Sequence, residues 1–142
     1  MTVRWQVGLA GLVAGLAMTG LAWAHGDVAP QAVDTTGLTP LGEDLQAENP
    51  YRGQAEYEVA QKIGAKAYNQ NCARCHGLGA VSGGIAPDVR YLIPVDDDGY
   101  FLGRVMSGAI RDGVTYMPPF EGVLNQEAIW AIRSWLDTVA EQ

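Results

Sequence analysis

The segment NQNCARCHGLGA holds both cysteines of the chain, Cys72 and Cys75, and places His76 directly after the second. Two thiols two residues apart, with an adjoining imidazole, fit three chemistries: a redox disulfide, half of a zinc site, or covalent attachment of a haem. A structural zinc ion needs four ligands from Cys, His or carboxylate, and the only other histidine is His25. A thioredoxin-like redox pair belongs at the end of a strand in a βαβ unit, and no stretch here alternates cleanly with period two. The covalent haem answers best. The thiols add to the two vinyl groups of a porphyrin, the two intervening residues on a helical turn set the sulfur separation, and the next residue is held below the iron. Cys72 and Cys75 are therefore expected as the thioether tethers of one haem c, and His76 as an iron ligand.

A second axial ligand would come from the methionines that follow the leader, Met106 and Met117. Met106 lies in a helical pattern, paired with Leu102, and reads as core packing. Met117 lies in TYMPPFEG, where two prolines stiffen the chain directly after it and limit the entropy lost in holding a sulfur in place. Met117 is the expected ligand; the alternative is that it covers the haem face without coordinating. A His/Met pair favours Fe(II) and raises the reduction potential. With both axial positions filled, the site suits an electron carrier rather than a catalyst.

These residues must be positioned by helices and loops. A helical segment is expected from Gln54 to about Cys75, in which Gly64, Tyr68 and Cys72 recur every four residues on one face. HGLGAVSGGIAPDV is too rich in glycine for a continuous helix and reads as a loop able to fold closely around a flat group. A second helix follows Asp96-Asp97-Asp98, whose acids suit an N-terminus better than a docking surface. It carries the apolar pairs Phe101/Val105 and Leu102/Met106 and ends near Gly108 or Ala109. RDGVTYMPPFEGVL reads as loop, with Asp112-Gly113 as a turn and Pro118-Pro119 barring helix. The last helix begins after Asn125, a good N-cap, and presents Ile129, Ile132, Leu136 and Val139 as one stripe with Trp135 beside it.

The 142 residues suggest one domain with its own leader. Arg4 precedes the uncharged run WQVGLAGLVAGLAMTGLAWA, which ends in Ala22-Trp23-Ala24, an A-x-A cleavage site. Residues 1–24 are expected as a signal peptide, 25–53 as an extended arm punctuated by Pro30, Pro40 and Pro50, and 54–142 as the domain. The rival reading of the leader is an uncleaved membrane anchor. Cleavage would make His25 the first residue, where a free amine beside an imidazole could chelate copper; the alternative is simply the first residue of a flexible arm. The net charge of −7, which becomes −8 without Arg4, argues against nucleic acid and against an anionic membrane surface. It does not argue against a protein partner with a positive patch.

On these residues the chain resembles the monohaem cytochrome c family from about Glu56 to its C-terminus. Gly64 and Tyr68 match the family's first helix, and Ile132 and Trp135 the C-terminal helix that crosses it. The resemblance implies an all-α small cytochrome c fold, about three to five helices with long loops around one covalent haem, preceded by an extended arm. It implies that Gly64 lets two backbones approach closely. It also implies that Pro87, in GGIAPD, offers its carbonyl to His76, a bond that would orient the ring and raise its basicity.

The arm HGDVAPQAVDTTGLTPLGEDLQAENPYRG, together with GAKAYNQNCARCHGLGAVSGGIAPD and RDGVTYMPPFEGVLNQEAIWAIRSWL, is similar to cytochromes c that serve periplasmic quinoprotein alcohol dehydrogenases. That resemblance implies a periplasmic protein, and a monomer is expected. It would accept single electrons from reduced pyrroloquinoline quinone (PQQ) in the dehydrogenase and pass them toward a terminal oxidase. Two other readings stay open. One is a haem sensor or peroxidase-like enzyme with a dissociable Met117; the other is a membrane-tethered subunit of an oxidase or dehydrogenase.

Overall fold

The structure, a computed structural model, describes residues 29–91 and 97–141. The expected signal peptide, His25 and Asp96 lie outside the described residues. The elements run α1 (Tyr57–Asn71), α2 (Ala73–His76), a 3-10 turn (Leu78–Ala80), α3 (Asp98–Ser107), β1 (Ala109–Arg111), β2 (Val114–Met117) and α4 (Gln126–Val139). Among the described residues no helix is long and apolar enough to cross a membrane.

α1 buries Ala60, Gly64, Ala67, Tyr68 and Asn71, a stripe at three- and four-residue spacing. Ala60, Gly64 and Ala67 in it are small because α4 lies directly on them. A Cβ on Gly64 would sit 1.8 Å from the Ala131 carbonyl oxygen, so the two helices meet backbone to backbone. α1 starts at Tyr57 rather than Gln54, because residues 51–56 turn instead, with Gln54 N–H donating to Tyr51 O at 3.0 Å and Tyr57 N–H to Gln54 O at 3.1 Å. It breaks at Cys72, whose φ of −113° departs from the helix and starts the separate turn α2.

α4 begins where expected: the Asn125 side chain accepts from Ala128 N–H at 3.0 Å. Its environment differs from the expected single stripe. Ala128, Ile129, Trp130, Ala131, Ile132 and Leu136 are buried, and so are Gln126, Glu127, Arg133 and Ser134. α1 covers one face. The arm covers another, and it is ordered without regular secondary structure. Leu41 N–H donates to Glu127 Oε1 at 2.7 Å, Gln126 Nε2 to Gly42 O at 2.7 Å, and Asn49 Nδ2 to Ser134 Oγ at 2.9 Å. Tyr51, 1% exposed, and Leu38, 8% exposed, join the common core. Burying each such side chain contributes about 1.5–3 kcal/mol.

α3 is capped by Asp97, which accepts from Tyr100 N–H at 3.0 Å. Asp98 does not cap. It is 3% exposed and turned inward onto two arginines, Arg133 Nε at 2.8 Å and Arg52 Nη1 at 2.9 Å. Asp137 closes the set, 2.8 Å from Arg133 and 3.0 Å from Arg52. Asn49 N–H adds a bond to Asp98 at 2.7 Å, and Tyr57 OH one to Asp137 at 2.9 Å. Arm, α1, α3 and α4 thus share one ionic knot. Burial alone would raise the Asp98 pKa, but the bonds from Arg52, Asn49 and Arg133 outweigh it and hold the carboxyl below its ordinary value.

The mostly helical fold carries one departure from the all-helical expectation. β1 and β2 pair as an antiparallel hairpin, Ile110 opposite Thr115 and Arg111 opposite Val114, with a register irregularity between Ala109 and Ile110. Asp112 and Gly113 form its two-residue turn with φ of 50° and 77°, the double positive pair of a tight hairpin turn.

Candidate metal centre

α2 is a single turn, and it gathers Cys72, Cys75 and His76. Cys75 N–H and His76 N–H both donate to Cys72 O, at 3.1 and 3.0 Å, so the three side chains leave one compact loop of backbone. The next residue is fixed from α1: Tyr68 OH donates to Gly77 O at 3.0 Å, and the Tyr68 ring rests 4.5 Å from that of Trp135 in α4.

Both cysteines are partly buried and no disulfide joins them. Burial, with Cys75 beside it, pushes the Cys72 thiol up to about 12. Among the described residues no cluster of three or more His, Cys, Asp or Glu side chains is placed to hold a metal, which removes the four-ligand zinc reading there.

His76 Nδ1 lies 2.8 Å from Pro87 O. A carbonyl only accepts, so Nδ1 carries the proton and Nε2 keeps its lone pair for a metal. Pro87, the residue the resemblance points to, lies within hydrogen-bond reach of His76. Met117 ends β2, partly buried against the core. Gly108, which closes α3 with a φ of 67°, lies against it: a Cβ there would be 2.4 Å from Met117 O. After Pro118-Pro119 the chain is tied back to α3, with Phe120 N–H on Val105 O at 3.1 Å and Glu121 N–H on Met106 O at 3.3 Å. Met106 packs partly buried against the core, as expected.

The residues fit a haem. One nitrogen lone pair and one thioether are held on rigid elements, and two thiols stand on the turn beside the imidazole. Large apolar side chains crowd the same two segments. Leu78 is 77% and Ile85 78% exposed after His76, and Ile110, Val114 and Tyr116 are exposed before Met117. Exposed apolar side chains on both segments suit an apolar group such as a porphyrin.

Known proteins decide the family. Residues 59–136 match the family described as cytochrome c oxidase, cbb3-type, subunit III. The chain is 56% identical over 130 residues to cytochrome c550 of Pseudomonas aeruginosa, covering 90% of each. The chain belongs to the cytochrome c family. Its fold is similar to that of cytochrome cL from the marine methylotrophic bacterium Methylophaga aminisulfidivorans, with a TM-score of 0.54, 25% identity and coverage of 78% and 80% of the two chains. A 75-residue stretch is 41% identical to part of the quinohemoprotein alcohol dehydrogenase ADH-IIG of Pseudomonas putida, covering 53% of this chain and 10% of that one. This cytochrome c carries covalently bound haem c and is an electron carrier rather than an enzyme.

Reading the sequence missed the support around the cytochrome's site. Ser82, Asp88 and Arg90, which close the loop bearing Pro87, were not singled out, and neither was the arginine–aspartate knot. The i,i+4 spacing of Arg133 and Asp137 was the one local signal available.

Proposed function

We propose that this cytochrome c is the periplasmic one-electron acceptor of a PQQ-dependent alcohol dehydrogenase and passes its electrons toward a terminal oxidase. In this reading Cys72 and Cys75 tether the haem, His76 and Met117 ligate the iron, and the Pro87 carbonyl orients His76. The bound haem supplies a one-electron Fe(III)/Fe(II) couple. His76 would offer Nε2 to the iron while Pro87 holds its Nδ1 proton, and Met117 would offer its thioether from a hairpin braced on α3. Two side-chain ligands leave no position for oxygen or peroxide, which suits transfer without side reactions.

The observation that carries the donor assignment is the relationship to the quinohemoprotein alcohol dehydrogenase, in which a similar stretch is one part of the enzyme's own chain. A relative of that stretch is suited to receive electrons from such an enzyme by docking. The net charge of −7 would steer it toward a positive face.

The test mixes the purified holoprotein with candidate quinoprotein dehydrogenases and follows haem reduction after alcohol is added. Rapid, alcohol-dependent reduction supports the donor. No reduction by any such enzyme removes the donor assignment and leaves the carrier intact. The mass of the mature protein from the periplasm tests cleavage after Ala24.

A further inference from the structure

We propose that Ser82 and Asp88 are positioning residues that set the reduction potential of this cytochrome by clasping the loop whose Pro87 carbonyl holds His76. The inference rests on the reading of His76 as an iron ligand.

Residues 82–88, SGGIAPD, form neither helix nor strand. Two adjacent glycines give such a segment many conformations, and a carbonyl on it would wander unless the loop were closed. It is closed from both ends. Ser82 Oγ donates to Ala86 O and accepts from Gly84 N–H at 3.0 Å, while Ser82 N–H donates to Asp88 Oδ2 at 3.2 Å. Asp88 also accepts from Arg90: the backbone N–H at 3.1 Å, Nε at 3.0 Å and Nη2 at 2.9 Å. Arg90 is anchored in turn to Glu141 just beyond α4, through Nη1 to Oε1 and through Glu141 N–H to Arg90 O at 3.1 Å.

The Pro87 carbonyl belongs to the peptide that joins Pro87 to Asp88. A carboxylate held by these bonds therefore fixes the plane of that peptide and the 2.8 Å contact to His76 Nδ1. The Arg90 hydrogen bonds lower the Asp88 pKa to about 2, so the clasp stays ionised across the neutral range. A firm Nδ1–H···O=C bond raises the electron donation of the imidazole and favours the ferric state. Loosening the clasp lets water compete for both groups, weakens the bond and favours the ferrous state. The potential then rises.

The test uses the full-length holoprotein in three variants: Ser82→Ala, Asp88→Ala and Ser82→Thr. Two quantities are read, the equilibrium potential and the proton shift of His76 Nδ1–H in the ferrous state. Both alanine variants are expected to raise the potential, with the ferric-to-ferrous ratio at a fixed poise changing by up to about tenfold, or 59 mV for a one-electron couple. The Nδ1–H resonance should move upfield in both. Ser82→Thr keeps the hydroxyl and should match the parent. If the alanine variants keep the parent potential and resonance, the proposal is overturned, even where their melting temperatures fall. If Asp88→Ala does not fold, Ser82→Ala opens the same loop from its other end and decides. If the parent's His76 lacks the signals of an iron-bound imidazole, the ligand reading is what failed, and the clasp's role falls with it.

Discussion

Gly64 and Ala131 touch through their backbones: a methyl group on Gly64 would lie 1.8 Å from the Ala131 carbonyl oxygen. Neither helix can yield locally, because α4 is enclosed on its other faces. Gly64→Ala must push the helices apart and disturb Tyr68 and Trp135, which pack on the same interface. A loss of about 3 kcal/mol or more is expected, at the upper end for an overpacked core. Urea unfolding of the holoprotein measures it, and a change below about 1 kcal/mol would contradict the close approach.

Met117→Ala removes the only thioether that the hairpin presents. It should lower the reduction potential, since a methionine ligand favours the ferrous state. It should also admit carbon monoxide. A redox titration and a carbon monoxide difference spectrum check the two effects. An unchanged potential with no carbon monoxide binding would take Met117 off the iron.

Asp98 predicts an acid response with a definite sign. Its pKa in the folded protein lies below the ordinary value of about 3.9. The stabilisation it supplies is therefore complete above that ordinary value and is lost as pH falls through the folded one. Asp98→Asn should cost about 3 kcal/mol near neutrality, because it strips a carboxylate from two arginines. Its stability should also fall less steeply in acid than the parent's. Unfolding curves near neutrality and below about pH 4 test both features. Equal acid slopes would show that the knot does not depend on this charge.

Asn49→Ala tests whether the arm belongs to the folded unit. Its side chain donates to Ser134 Oγ at 2.9 Å and accepts from Tyr51 N–H at 3.1 Å, all in buried surroundings. Leaving those partners unsatisfied should cost about 2 kcal/mol. The variant should also be cut faster by protease within residues 30–48. Parent-like melting and cleavage would mean that the arm rests on the domain without stabilising it.

Much of the site was legible because it is local. Cys72, Cys75 and His76 lie within one turn, and Asn125 and Asp112-Gly113 carry their cap and turn signals in their own residue types. What escaped is of two kinds. The hairpin shows no alternation because most of both strands is exposed, so neither face needed to be apolar. α4 resembled an ordinary amphipathic helix because Gln126, Glu127 and Ser134 are polar; they are buried nonetheless, since the arm bonds to them. Arg52 and Asp98 stand 46 residues apart, and no local pattern announces such a pair.

The arm and α1, the first described parts of the chain to be synthesised, both find their cover on α4, the last. Until α4 is in place, Ala60, Gly64, Ala67 and Tyr51 lack the surface they bury against. The domain therefore closes from its end rather than growing from its front, and a chain stopped short of Ile132 is left with its seam open. Such dependence on distant contacts slows folding. It also leaves an interval in which Cys72 and Cys75 are both reachable.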